Sequence, residues 1–282
     1  MTKKIAVIND LSGFGRCSLV AAISVISSMG ASAYPLPTAI LTSQTGYDSY
    51  FCDDYTDKMD IFIDEWKKLN PHFDGIYTGF LASEKQVDKI LKFLSVFMKK
   101  DTFLLVDPVM GDDGVTHGLF SDALRIELVE LCKMATIITP NLTELCLLTG
   151  SDFDSLNEIS NSSAKINKIK ETAKSLCNNS NKHVIVTGIR IENEVGIAHM
   201  GNLHVTSESF AFFSFPYVGK SYSGTGDLFA SCIAGGIAKG KSVDECIRVA
   251  GDFIYHSLED STQENIPGND GVNFENHLHL LT

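Results

Sequence analysis

Short apolar runs alternating with amphipathic segments constrain this chain more than any other feature. IAVI (5–8), GIYTG (75–79), FLLVDP (103–108), TIITP (136–140) and HVIVTG (183–188) each read as a strand buried on both faces. Helical patterns lie at 16–29, 53–69, 84–99, 121–133 and 163–177. Strands that alternate with helices predict an α/β three-layer sandwich, with a mostly parallel central sheet and helices on both faces. Around 195–215 the pattern changes to strands without an intervening helix, and Gly201-Asn202 suits a tight hairpin turn. An antiparallel extension is therefore expected on one edge. With no repeat, low-complexity tract or linker, residues 1–282 read as one domain, and Asn- and Ser-rich patches at 157–163 and 178–181 read as surface loops.

The charge balance narrows the partners. Against 35 Asp+Glu stand 23 Lys+Arg, a net charge of −12, and the basic residues form no stripe with interleaved aromatics. No nucleic acid and no membrane surface is expected as a partner. The seven cysteines are scattered without a C-x-x-C pair, which argues against a disulfide framework or structural zinc and for a reducing cytoplasmic setting. The opening MTKKIAVIND has too short an apolar run for a signal-peptide core, and no run approaches membrane-spanning length.

Several predicted strands end in polar residues: Asn9 and Asp10, Asp107, Thr139 and Asn141, and Thr187. In an open parallel sheet the carboxyl ends of the strands border one crevice, so these side chains are expected to converge. GGIAKGKS (235–242) fits a P-loop pattern, but the apolar residues before Gly240 recur at helical spacing. The match thus falls at the end of a helix, whereas a phosphate-binding loop must open one. Gly240 suits a left-handed terminus, and Ser242 with Glu245 suits a capping box for the next helix.

The other end of that helix is more promising. In SYSGTGDLFAS, Gly224 and Gly226 flank Thr225, and Asp227 opens the apolar run. Such a turn can aim backbone N–H groups and a helix N-terminus at a phosphoryl group. Asp227 is either an N-cap or a general base that takes a proton from an attacking hydroxyl.

GTGDLF (224–229) resembles the signature of the ribokinase-like kinases, and DPVMGD (107–112) with TPNLTE (139–144) resembles their vitamin-kinase branch. INDLSGFGRCS (8–18) and PLPTAILTSQTGY (35–47) look most like the pyridoxal, pyridoxine and pyridoxamine kinases. The resemblance runs from residue 5 to about 255. It implies Asp227 as catalytic base and Gly224, Thr225 and Gly226 as anion hole. It places Asp107, Asp112, Thr139 and Glu144 around a metal, with Asp112, Asn141, Glu144 and Thr187 on the nucleotide side. Taken singly, Asp107 could merely end a strand before Pro108, and Glu144 could be a first-turn helix residue. ATP is implied as co-substrate, with Mg²⁺ bridging carboxylates to phosphates that would otherwise repel them. A monovalent cation stays open, and a homodimer is implied because relatives are commonly dimers.

The substrate end follows the same resemblance. Thr45 matches a position that contacts the vitamin ring, and Phe80 falls where many relatives place a tyrosine. Asp10 stands where several carry serine; it could pair with a protonated pyridine nitrogen, accept from a ring hydroxyl, or be a solvated loop residue. Gly13-Phe14-Gly15 turns tightly into a helix beginning near Arg16, and Cys17 reads as a buried, inert thiol. The segment 216–223 could close over the phosphates, with Lys220 as an added contact or a solvent-facing lysine. The implied reaction is phosphorylation of a small-molecule B6 vitamer. The alternatives are a hydroxymethylpyrimidine kinase, a sugar kinase of the same superfamily, and a vitamin-binding protein without turnover.

Overall fold

The computed structural model describes residues 1–118, 120–177, 182–193 and 195–282; the loop expected at 178–181 lies outside the described residues. The first half of the chain contains β1 (Lys3–Ser12), α1 (Ser18–Ser28), β2 (Ala31–Leu41), β3 (Cys52–Asp54), α2 (Thr56–Leu69), β4 (Gly75–Thr78), α3 (Glu84–Phe97) and β5 (Phe103–Val106). A small antiparallel hairpin follows, β6 (Gly111–Asp112) and β7 (Val115–Thr116), and then α4 (Asp122–Met134), β8 (Ile137–Ile138), α5 (Leu142–Thr149), α6 (Phe153–Asn157) and α7 (Ser162–Lys174). The remainder comprises β9 (His183–Glu192), β10 (Ala198–Val205), β11 (Phe210–Pro216), α8 (Thr225–Ala238) and α9 (Val243–Gln263).

The main sheet is 9-stranded, in the order β11-β10-β9-β8-β5-β4-β1-β2-β3. Strands β2, β1, β4, β5, β8 and β9 run parallel, whereas β3, β10 and β11 are antiparallel additions at the edges. Alternate residues of each central strand enter opposite cores. Ile8, Ile76, Leu104 and Val184 pack on the face covered by α2 to α7; Val7, Tyr77, Leu105 and Ile185 pack on the face covered by α1, α8 and α9. The strand order reverses between β1 and β4, because β1 connects through α1 to β2 on one side and the chain returns on the other. Ligands of such sheets sit at that reversal.

Two expectations change. Gly201-Asn202 is not a turn but lies inside β10, whose ladder with β9 slips opposite Thr187 and Gly188. Gly188 holds φ +71°, and a Cβ on Gly201 would lie 2.1 Å from the Phe212 ring. The glycines thus serve a bulge and a close ring contact, while the β10–β11 turn falls at Thr206–Ser209. The first helix begins at Ser18, because Arg16 is occupied by a parallel bridge to Gly271.

The P-loop lookalike behaves as a helix boundary. Helix α8 ends at Ala238, Gly240 is left-handed at φ +82°, and Ser242 and Glu245 form a reciprocal capping box at the start of α9. Lys241→Ala is expected to leave nucleotide affinity unchanged within about twofold in a calorimetric titration; a large loss would restore the P-loop reading.

Candidate active site

A cavity of about 640 Å³ opens at the carboxyl ends of the parallel strands, beside the β1/β4 reversal. Its wall includes Asp10, Thr45, Phe80, Asp107, Asp112, Thr139, Asn141, Glu144, Thr187 and the turn Gly224 to Asp227, whereas Asn9, expected with them, is fully buried and not part of the wall. Asp10 is not a solvated loop residue. It lies in β1, 4% exposed, where the ladder slips because β2 carries an extra residue opposite it. Such irregularities re-aim side chains beside binding sites.

The glycine turn at the head of α8 has a specific backbone. Gly224 is the N-cap in a left-handed conformation, φ +84°, and supplies no side-chain cap. Any Cβ there would lie 2.2 Å from the Arg16 carbonyl oxygen, so only glycine fits. Asp227 is therefore not the N-cap; it occupies the first helical turn. The amides of that turn have no partner within the helix and face the cavity, which suits a phosphoryl group. Gly226 keeps the opposite space open, because a Cβ there would meet only Asp107 Oδ2, at 3.9 Å.

Asp227 is held from two sides. Asn9 Nδ2 donates to its Oδ1 at 3.0 Å, and the backbone N–H of Ser18 donates to the same carboxylate. Ser18 takes φ +52°, a left-handed value uncommon for a residue with a Cβ and frequent at functional sites. Burial pushes Asp227 up to about 6 despite these two donors, and the nearby charge of Asp10 adds to the rise. Asp107, buried, accepts from Thr139 Oγ1 at 2.8 Å; burial and the charge of Asp227 push it up to about 7. Asp10 is raised by burial against opposing bonds from Ser18 and Ser12, the latter at 2.8 Å. Two basic side chains on the wall are already engaged: Arg190 pairs with Asp113 at 3.4 Å, and Lys220 donates to the Ile266 carbonyl at 2.6 Å. The centre is thus a set of crowded acids, poised to accept protons or a hard cation.

Glu144 and Asn141 shape their part of the wall as well as lining it. Glu144 accepts from the backbone N–H groups of Asn141 (2.8 Å) and Met110 (3.2 Å), and Asn141 Nδ2 donates to the Gly111 carbonyl at 2.7 Å. Asn141 also bridges to Thr187. Among the described residues no group of three or more His, Cys, Asp or Glu forms a ready cation cage. The donors present are hard oxygens, which fit Mg²⁺ held by one or two carboxylates together with phosphates. Cys17 is buried and its thiol is pushed up to about 12, which makes it inert.

Two parts of the wall escaped the sequence reading. An apolar arm between β10, β11 and α9 carries Met200, Phe215, Ile254 and Leu258. The segment after α9 closes the cavity beside Gln44 and Thr45. Gln44 Nε2 donates to the Asn269 carbonyl (3.0 Å) and to Ser223 Oγ (3.2 Å), Asn269 Nδ2 donates to the Gly46 carbonyl (2.7 Å), and the Tyr47 hydroxyl donates to Asp270. Phe14 stacks edge-on against Tyr47 at 5.7 Å. Gln44 and Tyr47 stand beside Thr45 in SQTGY, but these hydrogen-bond partners lie 179 to 225 residues away, beyond any spacing rule.

A family profile described as phosphomethylpyrimidine kinase matches residues 19–272. The chain belongs to the phosphomethylpyrimidine kinase family. Its fold follows a Bacteroides thetaiotaomicron protein, provisionally designated a phosphomethylpyrimidine kinase and crystallised with pyridoxal. The two are 34% identical, with a TM-score of 0.91, over 100% of this chain and 96% of the other. A hydroxymethylpyrimidine/phosphomethylpyrimidine kinase of Aquifex aeolicus is 25% identical over 72% of this chain and 74% of its own length. A pyridoxine kinase of Bacillus subtilis is 27% identical over 67% of this chain and 65% of its own length. This family of kinases therefore includes both pyridine and pyrimidine specificities, on a ribokinase-like fold. Among the described residues no helix is long and apolar enough to cross a membrane.

Proposed function

We propose that this protein phosphorylates the 5′-hydroxymethyl group of a B6 vitamer, pyridoxal, pyridoxine or pyridoxamine, at the expense of ATP, in pyridoxal phosphate salvage. The observation that supports the reading is Asp227 in the first turn of a helix without a side-chain cap, with a second buried carboxylate, Asp10, lining the same cavity. Asp227 accepts the proton of the hydroxymethyl group as that oxygen attacks the γ-phosphorus in line. The amides of Gly224 to Asp227 donate to the phosphoryl oxygens as charge spreads over them. Asp107 and Asp112, with Thr139 and Glu144 behind them, would hold Mg²⁺, which supplies charge neutralisation for the triphosphate. The apolar arm at Met200, Phe215, Ile254 and Leu258 receives the nucleotide base, and Thr45 and Phe80 flank the vitamin ring. Asp10 accepts from a protonated pyridine nitrogen or a ring hydroxyl.

The description of the family and the Aquifex relative favour a second reading, a hydroxymethylpyrimidine kinase. Purified protein with ATP and Mg²⁺ should be offered pyridoxal, pyridoxine, pyridoxamine and hydroxymethylpyrimidine separately, and product followed by mass. At least one pyridine is expected to be phosphorylated with a higher kcat/KM than the pyrimidine. Turnover of the pyrimidine alone would move the assignment to the second reading. An absence of product from every ring would point to sugars or to a binding protein.

A further inference from the structure

We propose that Asn9 is the positioning residue of the base: its carboxamide fixes the rotamer of Asp227 and holds its carboxylate ready to accept a proton. This rests on Asp227 being the base. Asn9 is 0% exposed, and its orientation is dictated by its neighbours. Its Oδ1 accepts the backbone N–H groups of Phe80 at 2.8 Å and Asp10 at 3.0 Å, so the amide nitrogen must point the other way, toward Asp227 Oδ1 at 3.0 Å. Gly79 makes this possible, because a Cβ there would lie 2.5 Å from Asn9 Nδ2.

The groups facing Asp227 come from several elements. Asp10 on β1, the buried Tyr77 hydroxyl on β4, Asp107 after β5 and the Cys17 thiol before α1 offer it no donated hydrogen bond. The Ser18 N–H and the Asn9 amide do. Ser18 contributes through its backbone, so Asn9 is the side chain through which the base is set. The same amide grips the Phe80 backbone, which ties the base to the wall that flanks the ring.

Asn9→Asp tests this with little change of shape. The substituted carboxylate still accepts from Phe80 and Asp10, but meets Asp227 with a like charge. The expected result is a fall in kcat of about tenfold to a hundredfold, with KM for ATP and the ring changed less than about threefold. The acid limb of the kcat/KM profile should move up by about one pH unit or more. Asn9→Ser, which removes the donor without adding charge, should lower kcat with KM again preserved, and serves if the first variant melts early. Carbon NMR of labelled aspartate, assigned with Asp227→Asn, should show Asp227 titrating higher in Asn9→Asp whether or not turnover is found. An unmoved titration in a folded Asn9→Asp variant, or a loss confined to KM, would overturn the role of Asn9. A wild-type protein that phosphorylates none of the rings would instead overturn the functional assignment and leave the titration to judge Asn9.

Discussion

Asp227→Asn should lower kcat by about a thousandfold, in the middle of the range that a positioned general base contributes, while ATP affinity and melting temperature change little. The substituted amide keeps an oxygen that can accept from Asn9, so most of the local geometry is retained while the proton acceptor is lost. The pH profile gives the same assignment independently. Burial raises Asp227 to about 6, so wild-type turnover should fall as pH drops through that value and the carboxylate becomes protonated. The residual rate of the variant should show no such limb. Steady-state kinetics between pH 5 and 8 would measure both; a variant that kept a tenth of wild-type turnover would remove Asp227 from the role of base.

Asp107→Asn should separate stability from activity. Asp107 is buried, accepts one hydrogen bond from Thr139, and is raised from 3.8 to about 7 by burial and by the charge of Asp227. Because its folded value is raised, the unfolded chain releases this proton first, and stability declines as pH climbs from about 4 to about 7. Three units correspond to an upper bound of about 4 kcal/mol, and after relaxation the amide should gain about 2 kcal/mol at pH 8. The Thr139 bond is preserved, since an amide oxygen also accepts. Denaturant titrations without nucleotide or divalent ions should show this gain at pH 8 and its disappearance near pH 4. The same variant should lose at least about a hundredfold in kcat, because an uncharged amide would hold less firmly the Mg²⁺ that neutralises the triphosphate. A variant less stable than wild type at pH 8 would show that the ionised carboxylate stabilises the fold.

The central strands β1, β4, β5, β8 and β9 were legible because apolar runs buried on both faces leave little room for another fold. β2 was obscured by Pro35 and Pro37. Both precede the stretch paired with β3, so on the open side of the strand their missing N–H groups cost no ladder bond. α5 escaped because LTELCLLT is buried almost all round and shows no amphipathic period. At the site, the strand-end acids and the glycine turn were readable, since topology alone brings such positions together. Gly201-Asn202 misled because the flexibility that makes a turn also makes a bulge. The grip of Asn9 on Asp227 spans 218 positions, and that of Tyr47 on Asp270 spans 223. Pairings of that range are decided by packing, which no local pattern encodes.

The contacts of Asn269 and Asp270 also bear on the order in which the molecule becomes competent during synthesis. A nascent chain that has emerged only through α9 already contains the crowded acids, the glycine turn and the apolar arm of the cavity. The latch that braces Gln44, Gly46 and Tyr47 is still inside the ribosome at that moment. The loop from Gln44 to Tyr47 is thus secured only after the segment that follows α9 has emerged.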